Sequence, residues 1–317
     1  VKVFYSYKKR VLQHDIALVI FLSNAGVLKF INKYINRFNH HININKYILN
    51  TYLHKGGGFV EIIAVTNQKG GVAKTTTSIN LGAALAEKSK DVLLIDLDPQ
   101  ANMTLGLGFG KKLKNTYRVM MGEIEFINAI FPTDFGDDSW GRYNLMPSHI
   151  DLANIELELS SKLGRETVFK DSYEKSKDKI YNYDYILIDT TPSLGLLTVN
   201  AMSLADSLII PLEPNIFALD GIEQLINVYK LIRNKFNENL RIKGALLAKI
   251  DARTNIADHF HEKLREVFGD KLFQTTISQN VKLNESQLEG EPVNLYSPKA
   301  KGALQYQRLA EELIENE

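Results

Sequence analysis

The sequence predicts an α/β protein: a mostly parallel, twisted sheet with helices on both faces. Three observations predict it. From Val60 onward, short apolar runs alternate with longer segments of helical period. Most of those runs are apolar throughout, as strands covered on both sides must be. The first run also leads through a Gly-Gly turn directly into the first helical segment.

In chain order, the expected strands are 61–66 (EIIAVT), 91–97 (DVLLIDL), 143–148 (YNLMPS), 183–190 (YDYILIDT), 206–212 (DSLIIPL), 242–250 (IKGALLAKI) and 271–277 (KLFQTTI). The expected helices are 75–88, 150–163, 166–179, 219–236, 258–268 and 301–314, each with apolar residues recurring at helical spacing. Residues 106–142, with scattered glycines and the acidic string DFGDDSW, read as loop with one or two short helices. No repeat or low-complexity tract follows residue 59.

Across 317 residues, 44% apolar and 24% charged positions suffice for a large buried core and exclude global disorder. The absence of cysteine removes disulfides, thiolate metal sites, iron–sulfur clusters and cysteine nucleophiles together. A net charge of +1 hides an asymmetry: residues 1–59 hold nine Lys/Arg against one acid, Asp15, whereas the remainder holds 29 basic and 36 acidic residues. Four of the seven histidines (His14, His40, His41 and His54) and seven asparagines also fall in that first stretch.

Residues 1–59 therefore read as an N-terminal extension, disordered or mis-annotated, preceding a unit at 60–317. Its apolar run Ile16 to Leu28 is too short to span a bilayer as a helix. Three readings stand: an adaptor or DNA-binding extension, a membrane-associated helix, or upstream sequence translated from a start codon placed too early. The last is favoured, because HKGGGFV can be encoded by a purine-rich run resembling a ribosome-binding site, with Val60 as a GTG start.

The chemistry concentrates in TNQKGGVAKTTTS (66–78). A phosphate-binding loop of the form G-x-x-x-x-G-K-[ST] requires glycines where this chain has Gln68 and Ala73. Lys69-Gly70-Gly71 and Lys74-Thr75-Thr76 remain between strand and helix, so backbone N–H groups and a helix N-terminus still face an anion. Alanine at 73 implies a negative φ, since the left-handed region costs about 1 kcal/mol or more; a firmly positive angle would count against a working loop. Two further strand ends carry acids: Asp96 and Asp98, two apart on one side of a strand, and Asp189. Parallel sheets collect ligands at such carboxyl ends.

This constellation resembles the deviant Walker A type of P-loop NTPase, and within it the ParA/Soj family, whose loop runs KGGxGK[ST]. The similarity extends through PLEPNIFALDG (211–221) and DARTN (251–255) and covers nearly everything from Val60. It implies a cytoplasmic, nucleoid-associated ATPase that dimerises on ATP, binds double-stranded DNA without sequence preference and is stimulated by a ParB-like partner.

Residue by residue, the resemblance implies that Lys74 pairs with the β- and γ-phosphates, Thr75 ligates Mg2+ and Thr76 touches the α-phosphate. Gly70, Gly71, Val72 and Ala73 then supply the cradle. Asp189 holds the metal through water, Asp98 orients the attacking water, and Asp96 is either a neighbour of the metal or a strand-end cap. Lys69 reaches across the dimer to the partner's nucleotide. Adenine is expected beside ISQN (277–280), where Asn280 is kept but Ser278 replaces the family proline. Arg253 and Lys282 match DNA-binding positions, while Gln279 stands where the family has arginine and residues 60–317 are net negative.

An ATPase that positions a protein cargo without touching DNA stays open beside partition. Iron–sulfur relatives need cysteines, and MinD-like relatives carry a basic amphipathic tail where this sequence reads RLAEELIENE. No membrane partner is therefore expected. His149, His259 and His261 have no metal-binding spacing.

Overall fold

The computed structural model describes residues 60–110, 112–180, 183–214, 218–251 and 256–315. The extension 1–59, with its Ile16 to Leu28 run, and Arg253 lie outside these. The elements are β1 (Glu61–Val65), α1 (Lys74–Glu87), β2 (Val92–Leu97), α2 (Asn102–Gly106), α3 (Thr116–Met121), β3 (Phe131–Pro132), β4 (Tyr143–Met146) and α4 (Ile155–Glu158). They continue with α5 (Val168–Ile180), β5 (Tyr185–Thr190), α6 (Leu196–Leu204), β6 (Ser207–Leu212), α7 (Ala218–Lys235), β7 (Arg241–Leu247), α8 (Ile256–Phe268), α9 (Val281–Glu289), α10 (Val293–Tyr296) and α11 (Lys301–Glu315).

The seven strands order as β3-β4-β2-β5-β1-β6-β7. Every pairing is parallel except β3 with β4 at the edge. Because side chains alternate along a strand, β1 sends Ile62 and Ala64 into one core and Ile63 and Val65 into the other. The first core is closed by α5, α6 and α7, through residues such as Phe169, Met202 and Leu225; the second is closed by α1 and α11, through Leu81, Leu85, Tyr306 and Leu309. The central trio β2-β5-β1 brings three carboxyl ends side by side, and all the acidic and glycine-rich chemistry follows them.

Two sequence expectations fail for identifiable reasons. Residues 271–277 form no strand: the segment meets β7 at an isolated bridge, Ala245 with Leu272, and again where Ile277 N–H donates to the carbonyl of Leu247 at 2.8 Å. The amides of Gln274 and Thr275 donate instead to the Glu312 carboxylate, at 2.7 and 2.9 Å, so no ladder propagates. The helix expected over 150–163 breaks into a 3-10 turn at Ile150–Asn154 and the single turn α4. Leu152, Ile155 and Leu159 are buried in the first core, but Leu157 and Leu163 point to solvent, so the buried apolar stripe stops before the end of the expected helix. The helices α6 and α9 were not anticipated. Among the described residues, no helix is long and apolar enough to cross a membrane.

Candidate nucleotide site

The turn after β1 is built for an anion. Among the described residues, no amide N–H from Gly70 through Thr76 donates to a protein acceptor; the first bond of α1 is Thr77 N–H to the carbonyl of Ala73, 2.8 Å. Seven backbone donors thus converge around a helix N-terminus, which is the arrangement that favours phosphate.

Ala73 adopts φ +69 and ψ 27, in the left-handed region, against the negative φ expected of alanine. The expected negative angle is overturned, and the sign observed is the one that on strain alone counts against the loop. Gly71 is also left-handed, at φ +75, and residues of that hand in a turn are what tilt successive N–H groups toward a common centre. The cost falls on alanine because its Cβ crowds the following carbonyl. Ala73→Gly is expected to raise the thermal midpoint by about 1–3 °C, the strain relief exceeding glycine's extra chain entropy, with nucleotide affinity held or improved. Differential scanning fluorimetry and a nucleotide titration check both.

Lys74 is buried, and its ammonium donates to the carbonyl of Lys69 at 3.0 Å. Burial lowers its pKa, while the negative charges of Asp189 and Asp98 oppose that shift. Thr75 donates its hydroxyl to Asp189 at 2.6 Å, and Ser78, one helical turn on, reaches the other carboxylate oxygen at 3.4 Å. Burial, reinforced by neighbouring Asp96, holds Asp189 well above the ordinary carboxylate pKa. Thr76 accepts from Gln287 of α9 at 3.2 Å.

Asp96 lies opposite Asp189 in the β2–β5 register. Its carboxylate accepts from Thr104 N–H at 2.8 Å, Thr104 Oγ1 at 2.7 Å and Asp98 N–H at 3.2 Å. Burial pushes its pKa up to about 6. These bonds tie α2 and the turn that precedes it to the Asp96 carboxylate at the end of β2. Asp98 is also buried, but one carboxylate oxygen accepts only from Gln100 N–H, at 2.9 Å. Thr104 and Ser148 lock the backbone beneath: Ser148 donates its amide to Thr104 Oγ1 and its hydroxyl to the carbonyl of Asp98.

Lys69 is exposed and lines an open cavity of about 600 Å³ with Pro192, Leu194 and Gln224. Among the described residues only its backbone is tied down, its amide donating to Asn67 Oδ1 at 2.9 Å. Asn280 caps α9, accepting from Lys282 N–H at 2.9 Å. Lys282 is paired with Glu285 at 2.6 Å and stands over the Tyr296 ring. Helix α9 therefore reaches the phosphate turn through Gln287, which the sequence did not single out. Ser78, Thr104 and Ser148 were missed as well. Of these, only Ser78 carried a readable signal, standing three residues after Thr75 on the same helix face.

A family profile described as an AAA domain matches residues 60–242. The sporulation initiation inhibitor protein Soj of Bacillus subtilis is 43% identical over 258 residues, covering 81% of this chain and 99% of that protein. The chromosome partitioning protein ParA of Caulobacter vibrioides is 39% identical over 260 residues, covering 81% and 95%. The chain belongs to the ParA/Soj family. That family is one of P-loop ATPases. Solved structures agree. Cobyrinic acid a,c-diamide synthase from Mycobacterium smegmatis, with bound ATP analog and magnesium, aligns at TM-score 0.68 and 32% identity over 81% of this chain and 95% of that one. The septum site-determining protein MinD of Pyrococcus horikoshii, complexed with Mg-ADP, aligns at TM-score 0.64 and 28% identity over 80% and 96%.

Proposed function

We propose that residues 60–317 form an ATPase that dimerises on ATP and drives plasmid or chromosome partition. It does so by binding nucleoid DNA without sequence preference and by hydrolysing ATP when a ParB-like partner stimulates it. The observation that carries the reading is the convergence of free loop amides, the Lys74 ammonium and the Thr75–Asp189 pair at one end of the sheet.

The residues fit a magnesium nucleotide. Thr75 and Asp189 place two hard oxygen donors together. A magnesium ion held there would take its remaining ligands from phosphate and water. When bound, magnesium supplies charge neutralisation on the phosphates. The chain's own part is positioning. The amides of Gly70 to Thr76 hold the phosphate oxygens, Lys74 balances their charge, and Asp98 orients the attacking water. Lys69, exposed at the rim, reaches the nucleotide of a second copy.

Two observations favour the alternative, an ATPase that carries a protein cargo without DNA. The unit is net negative, and Lys282, a proposed DNA contact, is already paired with Glu285. Filter binding of the full chain to random-sequence duplex separates the two. The partition reading expects retention with MgATP at low salt that falls steeply as salt rises, because released counterions drive such binding. No retention at any salt, together with partner-stimulated hydrolysis, moves the function to the cargo class.

A further inference from the structure

A third lysine acts on the phosphate turn. Lys249 follows β7, and its ammonium donates to the carbonyl of Gly71 at 2.8 Å, across 178 residues of sequence. Its backbone is left-handed, at φ +57, a conformation uncommon for a non-glycine residue. The neighbours impose it: Ala248 N–H bonds the carbonyl of Leu212 at 2.8 Å, and Ile250 N–H bonds that of Ile277 at 3.1 Å. Strain of this kind persists only where the surroundings over-determine it, and it clusters where function needs a fixed geometry.

We propose that Lys249 is a positioning residue for nucleotide binding, a clamp that sets the orientation of the Gly71–Val72 peptide. The peptide is planar and trans, so its C=O and N–H point in opposite directions. With the carbonyl of Gly71 drawn to Lys249, the amide of Val72 faces the other side of the loop. Val72 is buried there, and its amide has no acceptor among the described residues. Gly70 and Gly71 lack a Cβ to restrict this peptide, so without a clamp it samples both orientations. A preset amide binds phosphate without the entropy loss of choosing one.

This inference deepens the ATP reading and rests on it for the affinity measurement. Lys249→Asn suits the test because asparagine tolerates the left-handed region but is too short to reach Gly71. In the full chain with Mg2+, Lys249→Asn is expected to weaken binding of a fluorescent ATP analogue by about five- to tenfold, the scale of a charged hydrogen bond at an exposed site. Its thermal midpoint stays level or rises, and Lys249→Arg restores affinity to within about twofold. Wild-type affinity in Lys249→Asn overturns the proposal. So does a loss of affinity accompanied by a lower midpoint that arginine fails to rescue.

Amide NMR decides the clamp without any nucleotide. A doubled or broadened Val72 N–H signal in Lys249→Asn supports it, and one sharp signal as in the wild type overturns it. A wild-type chain that fails to bind the ATP analogue defeats the ATP reading instead, while the NMR comparison still stands.

Discussion

Lys69→Ala is expected to abolish ATP-dependent dimerisation while leaving ATP binding by the monomer largely intact. The split follows from the geometry. The side chain of Lys69 is exposed, and its backbone bonds, to Asn67 and to Lys74, survive truncation beyond Cβ. Nothing in the cradle's amide array depends on its ammonium. On the proposed reading, that ammonium supplies in trans what an arginine finger supplies elsewhere, so hydrolysis falls by roughly a thousandfold or more. Sedimentation velocity with and without MgATP reads the first effect, and a phosphate-release assay reads the second. ATP-dependent dimers in the variant would refute the role.

Asp98→Asn has the second largest expected effect, a loss of about a hundredfold or more in hydrolysis with nucleotide binding retained, the usual scale for removing a positioned acid–base group. Binding survives because the Asp98 side chain does not bond the phosphate turn; its carboxylate accepts from Gln100 N–H, a bond asparagine's carbonyl oxygen also makes. Removing a negative charge beside the triphosphate also lessens repulsion, so affinity holds or improves. Single-turnover hydrolysis paired with a fluorescent nucleotide titration measures both. Hydrolysis near the wild-type rate would assign the water-orienting task to another group.

What the sequence displayed and what it hid divide along a physical line. The phosphate turn, Asp96, Asp98 and Asp189 were legible because each sits at the end of a continuous apolar run, and a parallel sheet gathers such ends. Six of the seven anticipated strands formed for the same reason. The segment 271–277 misled because its residues have the β-pattern, yet between the amides of Phe273 and Ile277, which bond β7, those of Gln274 and Thr275 found Glu312 on α11 and interrupted the ladder. Helix α6 hid because it is apolar nearly all round and offers no amphipathic period. The hand of Ala73 was misjudged from the cost to one residue, when the turn as a whole fixes it. Lys249 was invisible for a different reason: its partner lies far away in sequence, and only the strand order brings the two together.

The bond from Lys74 to the carbonyl of Lys69 has a mechanical meaning. It couples the innermost cation of the turn to the very peptide that carries the outermost one. A displacement of the buried amine by an ångström is handed to the rim like motion through a lever, so on the proposed reading the nucleotide inside one subunit and that subunit's hold on a second copy would shift together.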